Sequence, residues 1–278
     1  MATTDLTPDN VNTIDRSCPL CAADNQAAAT LRYSHPDWRL KACRYCSFVY
    51  IENAPVYETL SSDMPWETTS QVEESRREAT RGYEYRLSKT TRWRLHLLPR
   101  KQFAELLLRH AAPGHVVDLG CGNGIQLRNL HAGYVPHGVE VSENLCREAN
   151  SRFQACGGYA VHAPSLEGLQ RFDDRFFTAA TLRSYLEHEL QPAAILHELR
   201  RVLTPGGVVI IKVPNYGSLN RRLLGRDWCG FRFPEHLNYF TPSTLRSMGE
   251  AAGFQVSFGL TYKLPTSDNM YAIMSRPA

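Results

Sequence analysis

Val116-Val117-Asp118-Leu119-Gly120-Cys121-Gly122-Asn123-Gly124 is the stretch on which the reading of this 278-residue chain turns. A short apolar run closed by an acid, then glycines at alternate positions, reads as a buried strand turning sharply towards a helix. Three glycines permit positive φ and clear side chains from the approach path. A small ligand is therefore expected against bare backbone, with the N–H groups of the following helix pointing into the gap.

Working outward, apolar runs alternate with stretches of helical period. Strands are expected near residues 116–119, 136–141, 159–162, 177–182, 207–213, 255–262 and 269–275, with helices over 142–155, 192–203 and 242–252. Strands separated by helices imply right-handed crossovers and a mostly parallel sheet covered on both faces. Only residues 263–268 separate the last two strands, too few for a crossover, so these must pair antiparallel. In such a sheet ligands bind beyond the carboxyl ends of the strands, where the glycine turn lies.

About 20 residues past the turn, Glu140 closes the second strand in His137-Gly138-Val139-Glu140-Val141, a position suited to two ribose hydroxyls. The expected ligand contains a nucleoside. A dinucleotide site would read G-x-G-x-x-G, whereas this turn reads G-x-G-x-G after Asp118. A carboxylate is unwelcome beside a pyrophosphate and acceptable beside a sulfonium, which favours S-adenosylmethionine.

Upstream, Cys18-Pro19-Leu20-Cys21 and Cys43-Arg44-Tyr45-Cys46 are separated by 21 residues. Two such knuckles suit a zinc ribbon whose four thiolates leave no position for water, so the metal would be structural. Iron on the same four sulfurs stays open, and two disulfides are the competing reading, disfavoured in a reducing compartment. The predicted division is a ribbon over 1–53, a linker with capping helices over 54–110, and the ligand-binding domain over 111–278. Cys121, Cys146, Cys156 and Cys229 lack paired spacing and read as small core or loop residues.

Composition is that of an ordinary globular chain, 43% hydrophobic and 21% charged, with a net charge of +3 that does not call for nucleic acid. Residues 76–109 are locally basic, which suits either a solvated helix face or an anionic partner such as a nucleotide sugar, a carrier-bound acyl group or RNA. In the ribbon, Arg32, Arg39, Lys41 and Arg44 are offset by Asp24 and Asp37. Apolar runs such as 207–213 fall far short of the roughly 20 residues of a membrane span. The polar, Thr-rich residues 1–15 do not read as a signal peptide, so a cytoplasmic protein with no membrane partner is expected.

The glycine turn, Glu140 and Leu199-Arg200-Arg201-Val202-Leu203-Thr204-Pro205-Gly206-Gly207 together resemble the class I S-adenosylmethionine-dependent methyltransferases. The resemblance implies an α/β fold, a Rossmann-like seven-stranded, mostly parallel sheet with an antiparallel last strand, beside the small N-terminal zinc ribbon. It implies cofactor contacts from Asp118, Gly120, Cys121, Gly122, Glu140, Val141 and Leu182. No acid follows the third strand in Ala163-Pro164-Ser165-Leu166-Glu167, so Ser165 or the backbone at Leu166 is expected on the adenine side. Tyr83, Tyr85 and Arg86 are candidates for folding over the methionine end.

Tyr185-Leu186-Glu187-His188 is similar to the "EH" segment of small-molecule methyltransferases, and Pro234-Glu235-His236-Leu237-Asn238-Tyr239-Phe240-Thr241 to their "P-x-H-L-x-x-F-T" stretch. With the ribbon, these give a partial likeness to the deoxysugar C-methyltransferases, in which the matching histidine is taken to act as base. This implies His236 as first and His188 as second candidate base, with Glu235 and Tyr239 orienting a base or binding substrate. Asn215 and Tyr216 are candidates for substrate contact or a turn signal. The expected activity is O- or C-methylation of a small molecule in secondary or sugar metabolism, the acceptor anionic or carrier-bound. Alternatives are an RNA methyltransferase that recognises RNA through the ribbon, and a non-catalytic nucleoside-fold module.

Overall fold

The computed structural model of the protein describes residues 12–56, 103–128, 130, 133–259 and 267–278. Strand β5 (Gly114–Leu119) lies at the centre of a seven-stranded sheet. Its partners are β6 (Tyr134–Glu140) and β8 (Phe177–Arg183), both parallel to it. Strands β7 (Ala160–His162) and β9 (Leu203–Pro214) extend the parallel region, and β12 (Asn269–Ser275) runs antiparallel to both β9 and β11 (Gln255–Phe258). The strand order is β7-β6-β5-β8-β9-β12-β11. The expected sheet and its antiparallel end are thus observed.

Both faces of the sheet are covered, which is why its central strands read as continuous apolar runs. Val116, Val117, Ala179, Ala180, Leu182 and Val209 to Ile211 are fully buried. The flanking helices bury one stripe each. α1 (Phe103–His110) buries Leu106 and Leu107, and α2 (Glu143–Gln154) buries Cys146, Ala149 and Phe153. The short α3 (Ser165–Leu169) follows β7. α4 (Pro192–Val202) buries Ile195, Leu196, Leu199 and Val202. Past β9 come α5 (Leu219–Leu224) and α6 (Pro242–Ala251), the latter started by a reciprocal Thr241–Thr244 capping box.

One local expectation is corrected. No helix follows the glycine turn among the described residues. Gly124, Leu127 and Leu130 instead donate backbone bonds three residues back, to Cys121, Gly124 and Leu127. Gly124 at φ +78° and Gly133 at φ +99° bracket the stretch with left-handed backbone that a helix cannot continue through. Most of the expected capping helices, residues 70–102, lie outside the described residues, as do Tyr57, Trp66, Tyr83, Tyr85, Arg86 and nearly all of the basic segment.

The N-terminal part forms two small sheets. β1 (Thr13–Asp15) pairs with β4 (Asn53–Pro55), and β2 (Leu40–Ala42) pairs with β3 (Val49–Ile51). The third strand of the second sheet, β10 (Asn238–Tyr239), comes from the segment after β9 and pairs with β3. Trp38, Leu40, Val49 and Ile51 share a core with Tyr216, Trp228, Leu237 and Tyr239. The Arg16 guanidinium bonds the Leu190 carbonyl and Asn238 Oδ1, both at 2.9 Å. A module too small for a good core of its own obtains one by merging with the segment 228–241.

At the opposite end of the sheet, His137 is 1% exposed, packed among Tyr159, Phe172, Phe176 and Phe177, with Nε2 2.9 Å from His115 Nδ1. Burial, helped by His115, lowers its pKa from the usual 6.5 to about 4. Between those values the unfolded chain binds the extra proton, so stability is present near neutrality and is lost as pH falls towards 4. Chemical denaturation should show this acid limb with a slope of up to about 1.4 kcal/mol per pH unit. His137→Gln, which does not titrate, should flatten it; an unchanged limb would remove His137 as its source.

Candidate functional site

The glycine turn hangs on the second strand, with the N–H groups of Gly120 and Cys121 donating to the Val139 carbonyl at 2.9 and 3.3 Å. Gly120, Gly122 and Gly124 all have positive φ, +65°, +54° and +78°. Their surroundings differ. A Cβ at Gly120 would sit 2.8 Å from the Tyr185 ring, and one at Gly124 2.9 Å from Phe153, so these two are glycines because the chain packs tightly there. At Gly122 no described residue lies within 4 Å of that position. Among the described residues, the outer side of the turn is open.

Glu140 faces this opening at 8% exposure. Its Oε2 accepts from Gly122 N at 2.8 Å and its Oε1 from Ser142 N at 2.9 Å. The carboxylate thus clasps the turn to the start of α2, with half its roughly four acceptor sites still to be used. Register sets Glu140 beside His162, and α3 begins just beyond, so Val141, the buried Ser165 and the half-buried Leu166 gather at the same edge as the turn.

Three of the expected cofactor residues sit deeper. Asp118 is 2% exposed, and its Oδ1 accepts from Thr181 Oγ1 at 2.6 Å; burial, opposed by that bond, pushes its pKa up to about 7. It braces β5 against β8. Cys121 turns inward against Gly138, where a Cβ would fall 2.4 Å from its sulfur. Leu182 is fully buried in register with Leu119.

Beyond the end of β8, Tyr185 packs on Gly120 and leads into a short 3₁₀ turn, Leu186–His188. This turn joins the glycine turn to the segment 228–241: Leu237 N donates to the Glu187 carbonyl at 2.8 Å, and Asn238 Nδ2 to the Leu186 and Glu189 carbonyls at 3.1 and 2.6 Å. His188 and His236, far apart in sequence, consequently meet, their rings 4.7 Å apart and nearly perpendicular. Glu187 joins them, so that one ligand-type atom from each of the three lies within 4.8 Å of the others.

The chemistry of this cluster follows from its burial. His236 is 5% exposed rather than in an open loop, and its Nδ1 lies 2.8 Å from the Gly230 carbonyl. A carbonyl only accepts, so Nδ1 carries the proton and Nε2 the lone pair. Burial, helped by Arg232 and opposed by a hydrogen bond to the Glu235 backbone, lowers His188 to about 3, which keeps its imidazole neutral. Glu187 is 1% exposed, and among the described residues neither carboxylate oxygen has a partner in hydrogen-bonding geometry. Burial raises it to about 8 against the pull of its own backbone N–H, Lys212 and Arg232.

Of the other acceptor-side candidates, Glu235 pairs with Arg232. Tyr239 is 2% exposed among Tyr216, Phe231 and Phe233, and burial raises its hydroxyl well above the usual value. Asn215 forms a turn, its Oδ1 accepting from Gly217 N at 2.9 Å. The sequence reading placed Glu187 in the EH segment but gave it no role of its own. Its signal was an acid directly before His188, shortly after the end of β8.

Cys18, Cys21, Cys43 and Cys46 converge, with Cys18–Cys46 and Cys21–Cys43 sulfurs both 3.5 Å apart. That is far beyond a disulfide bond and close to the about 3.8 Å expected between thiolates around a tetrahedral Zn²⁺. Each knuckle is closed by a backbone bond, Ala22 N to the Cys18 carbonyl and Ser47 N to that of Cys43, at 2.8 and 2.9 Å. The donor set suits a structural metal.

Residues 91–257, more than half of the chain, match the family described as a methyltransferase domain. The ubiquinone biosynthesis O-methyltransferase of Nitrosomonas europaea is 26% identical over 162 residues, covering 53% of this chain and 67% of that protein. The trans-aconitate 2-methyltransferase of Methylobacterium nodulans is 34% identical over 129 residues, 44% of this chain and 48% of that protein. The chain spans between a third and two thirds of the length of the first curated relatives it matches. Among solved structures, a SAM dependent methyltransferase from Archaeoglobus fulgidus aligns with a TM-score of 0.49 at 18% identity, over 70% of this chain and 100% of that one. No helix among the described residues is long and apolar enough to cross a membrane.

Proposed function

Because the chain belongs to the methyltransferase-domain family, we propose that it transfers a methyl group from S-adenosylmethionine to a small-molecule acceptor. The observation that carries this reading is the Glu140 carboxylate, held between Gly122 N and Ser142 N at the mouth of an open glycine turn. Two backbone bonds fix its plane and leave lone pairs for two adjacent hydroxyls, the pattern a ribose presents. Gly120 and Gly122 expose backbone to the ligand, Val141 lies beside the ribose, and Ser165 and Leu166 face the adenine. Asp118, Cys121 and Leu182 act from beneath, by holding the turn in shape. When bound, the cofactor supplies a methyl group already activated on a sulfonium.

Positioning is then the main task left to the protein, together with handling the acceptor's proton. His236 and His188 meet at the end of β8 next to Tyr185, which packs on the turn, so this cluster is assigned to the acceptor side, with Glu235 and Tyr239 proposed to orient a base or bind substrate. Both relatives named above carry small-molecule names, which supports a small acceptor. For the division of labour we propose residues 1–53 as a four-cysteine module stabilised by Zn²⁺, 54–110 as connection and cap, and 111–278 as the transferase domain.

Calorimetry with S-adenosylhomocysteine tests the reading. One-to-one binding is expected for the metal-loaded protein. Charge-assisted hydrogen bonds contribute about 1.5–3 kcal/mol each, so Glu140→Ala should weaken binding by roughly 100-fold or more. Absence of binding to the wild type would sink the proposal.

A further inference from the structure

The geometry points to a second metal site, in which Glu187, His188 and His236 together bind a divalent transition-metal ion separate from the four cysteines. Glu187 carries the argument. Its carboxyl group is 1% exposed and, among the described residues, neither oxygen has a partner in hydrogen-bonding geometry, although a polar group in the interior is unfavourable unless hydrogen-bonded or bound to a metal. Two imidazoles lie beside it, one ligand atom from each of the three residues lying within 4.8 Å of the others.

Both imidazoles are oriented as ligands are. His236 directs Nδ1 at the Gly230 carbonyl at 2.8 Å, and His188 bonds the Glu235 backbone. A carbonyl partner on one ring nitrogen fixes the tautomer and presents the lone pair of the other, which is how metal-binding histidines are commonly held. Two neutral imidazoles and one carboxylate suit Zn²⁺, Fe²⁺ or Co²⁺ rather than Mg²⁺ or Ca²⁺, and three protein ligands leave a coordination position open. A bound set lies about 3–4 Å apart, so only small side-chain rotations, chiefly of the unanchored Glu187 carboxylate, are needed. The nearby Arg232 does not oppose this strongly, since its charge is offset by Glu235.

The site stands on these residues alone. Its role on the acceptor side, as a Lewis acid favouring loss of the acceptor's proton, rests on the proposed function.

The test is a metal count on the full chain, stripped with a chelator and titrated with Co²⁺. Two equivalents per chain are expected for the wild type, one of them with the thiolate-to-cobalt absorption of the four-cysteine site. Glu187→Gln and His236→Gln should each bind one equivalent with that absorption intact, which also shows that the variants fold. A single equivalent in the wild type would overturn the proposal, as would two in both wild type and Glu187→Gln. If neither variant folds, the wild-type count decides. S-adenosylhomocysteine binding on the same samples separates the two readings: its absence from the wild type removes the methyltransferase proposal and leaves the metal count standing.

Discussion

A Cys43→Ser variant is expected to lose order in the N-terminal sheets and in the segment 228–241 together, while binding S-adenosylhomocysteine within about threefold of the wild type. The reason is topological. Cys43 and Cys18 belong to the same buried cluster as Phe48, Tyr50, Leu186 and Phe240, and β3 pairs on one side with β2 and on the other with β10. Opening the four-sulfur site removes what closes the turns between these strands. Structural zinc supplies small modules with about 10–16 kcal/mol of folding free energy, so losing one of four ligands should cost at least about 3 kcal/mol. Hydrogen exchange should report it as lost protection at residues 49–51 and 237–240. Glu140 and the glycine turn sit on other strands, and their backbone bonds run to β6 and α2. Protection that survives at 237–240 would show that β10 does not depend on the ribbon.

Gly120→Ala is expected to weaken cofactor binding by more than tenfold. Two separable effects add. At φ +65° an alanine is strained by roughly 1–2 kcal/mol, and its Cβ falls 2.8 Å from the Tyr185 ring. The ring must move, and with it the 3₁₀ turn that carries Glu187 and His188. A double-mutant cycle with Tyr185→Ala apportions the terms: the second substitution should recover the steric part and leave the backbone part. Gly122→Ala serves as the comparison, since its added methyl meets no atom of the described residues and is expected to interfere through strain or with the ligand itself. Equal thermal destabilisation by both variants, with no loss of cofactor affinity in either, would contradict the assignment of the turn.

The sheet was legible because burial on both faces writes itself into sequence as strands rich in apolar residues, such as 177–183 and 207–213, separated by amphipathic helices. Glu140 was legible for a related reason: one acid at the end of a buried strand, at fixed distance from a glycine turn, has few explanations. The knuckles announced themselves by spacing. What the sequence concealed was non-local. β10 has only two residues, Asn238 and Tyr239, and its pairing with β3 joins positions nearly 190 apart. No period marks so short a strand. The helix expected after the glycine turn is absent among the described residues because Gly124, in the left-handed region, carries the chain into successive turns instead. The Glu187-His188 segment was legible as a motif, but the burial of Glu187 beside both histidines was not, because it depends on residues 237 and 238 bonding back to 186–189.

The central claim, that the chain holds a nucleoside by Glu140 at the glycine turn, is tested most directly by comparing S-adenosylhomocysteine with its 2′,3′-dideoxy analogue on wild type and Glu140→Ala by calorimetry. The wild type should favour the hydroxylated ligand by roughly 100-fold, the effect of two hydrogen bonds to a charged acceptor, and Glu140→Ala should bind both equally and weakly. Equal affinity of the wild type for the two ligands, or a preference that survives in Glu140→Ala, would contradict it.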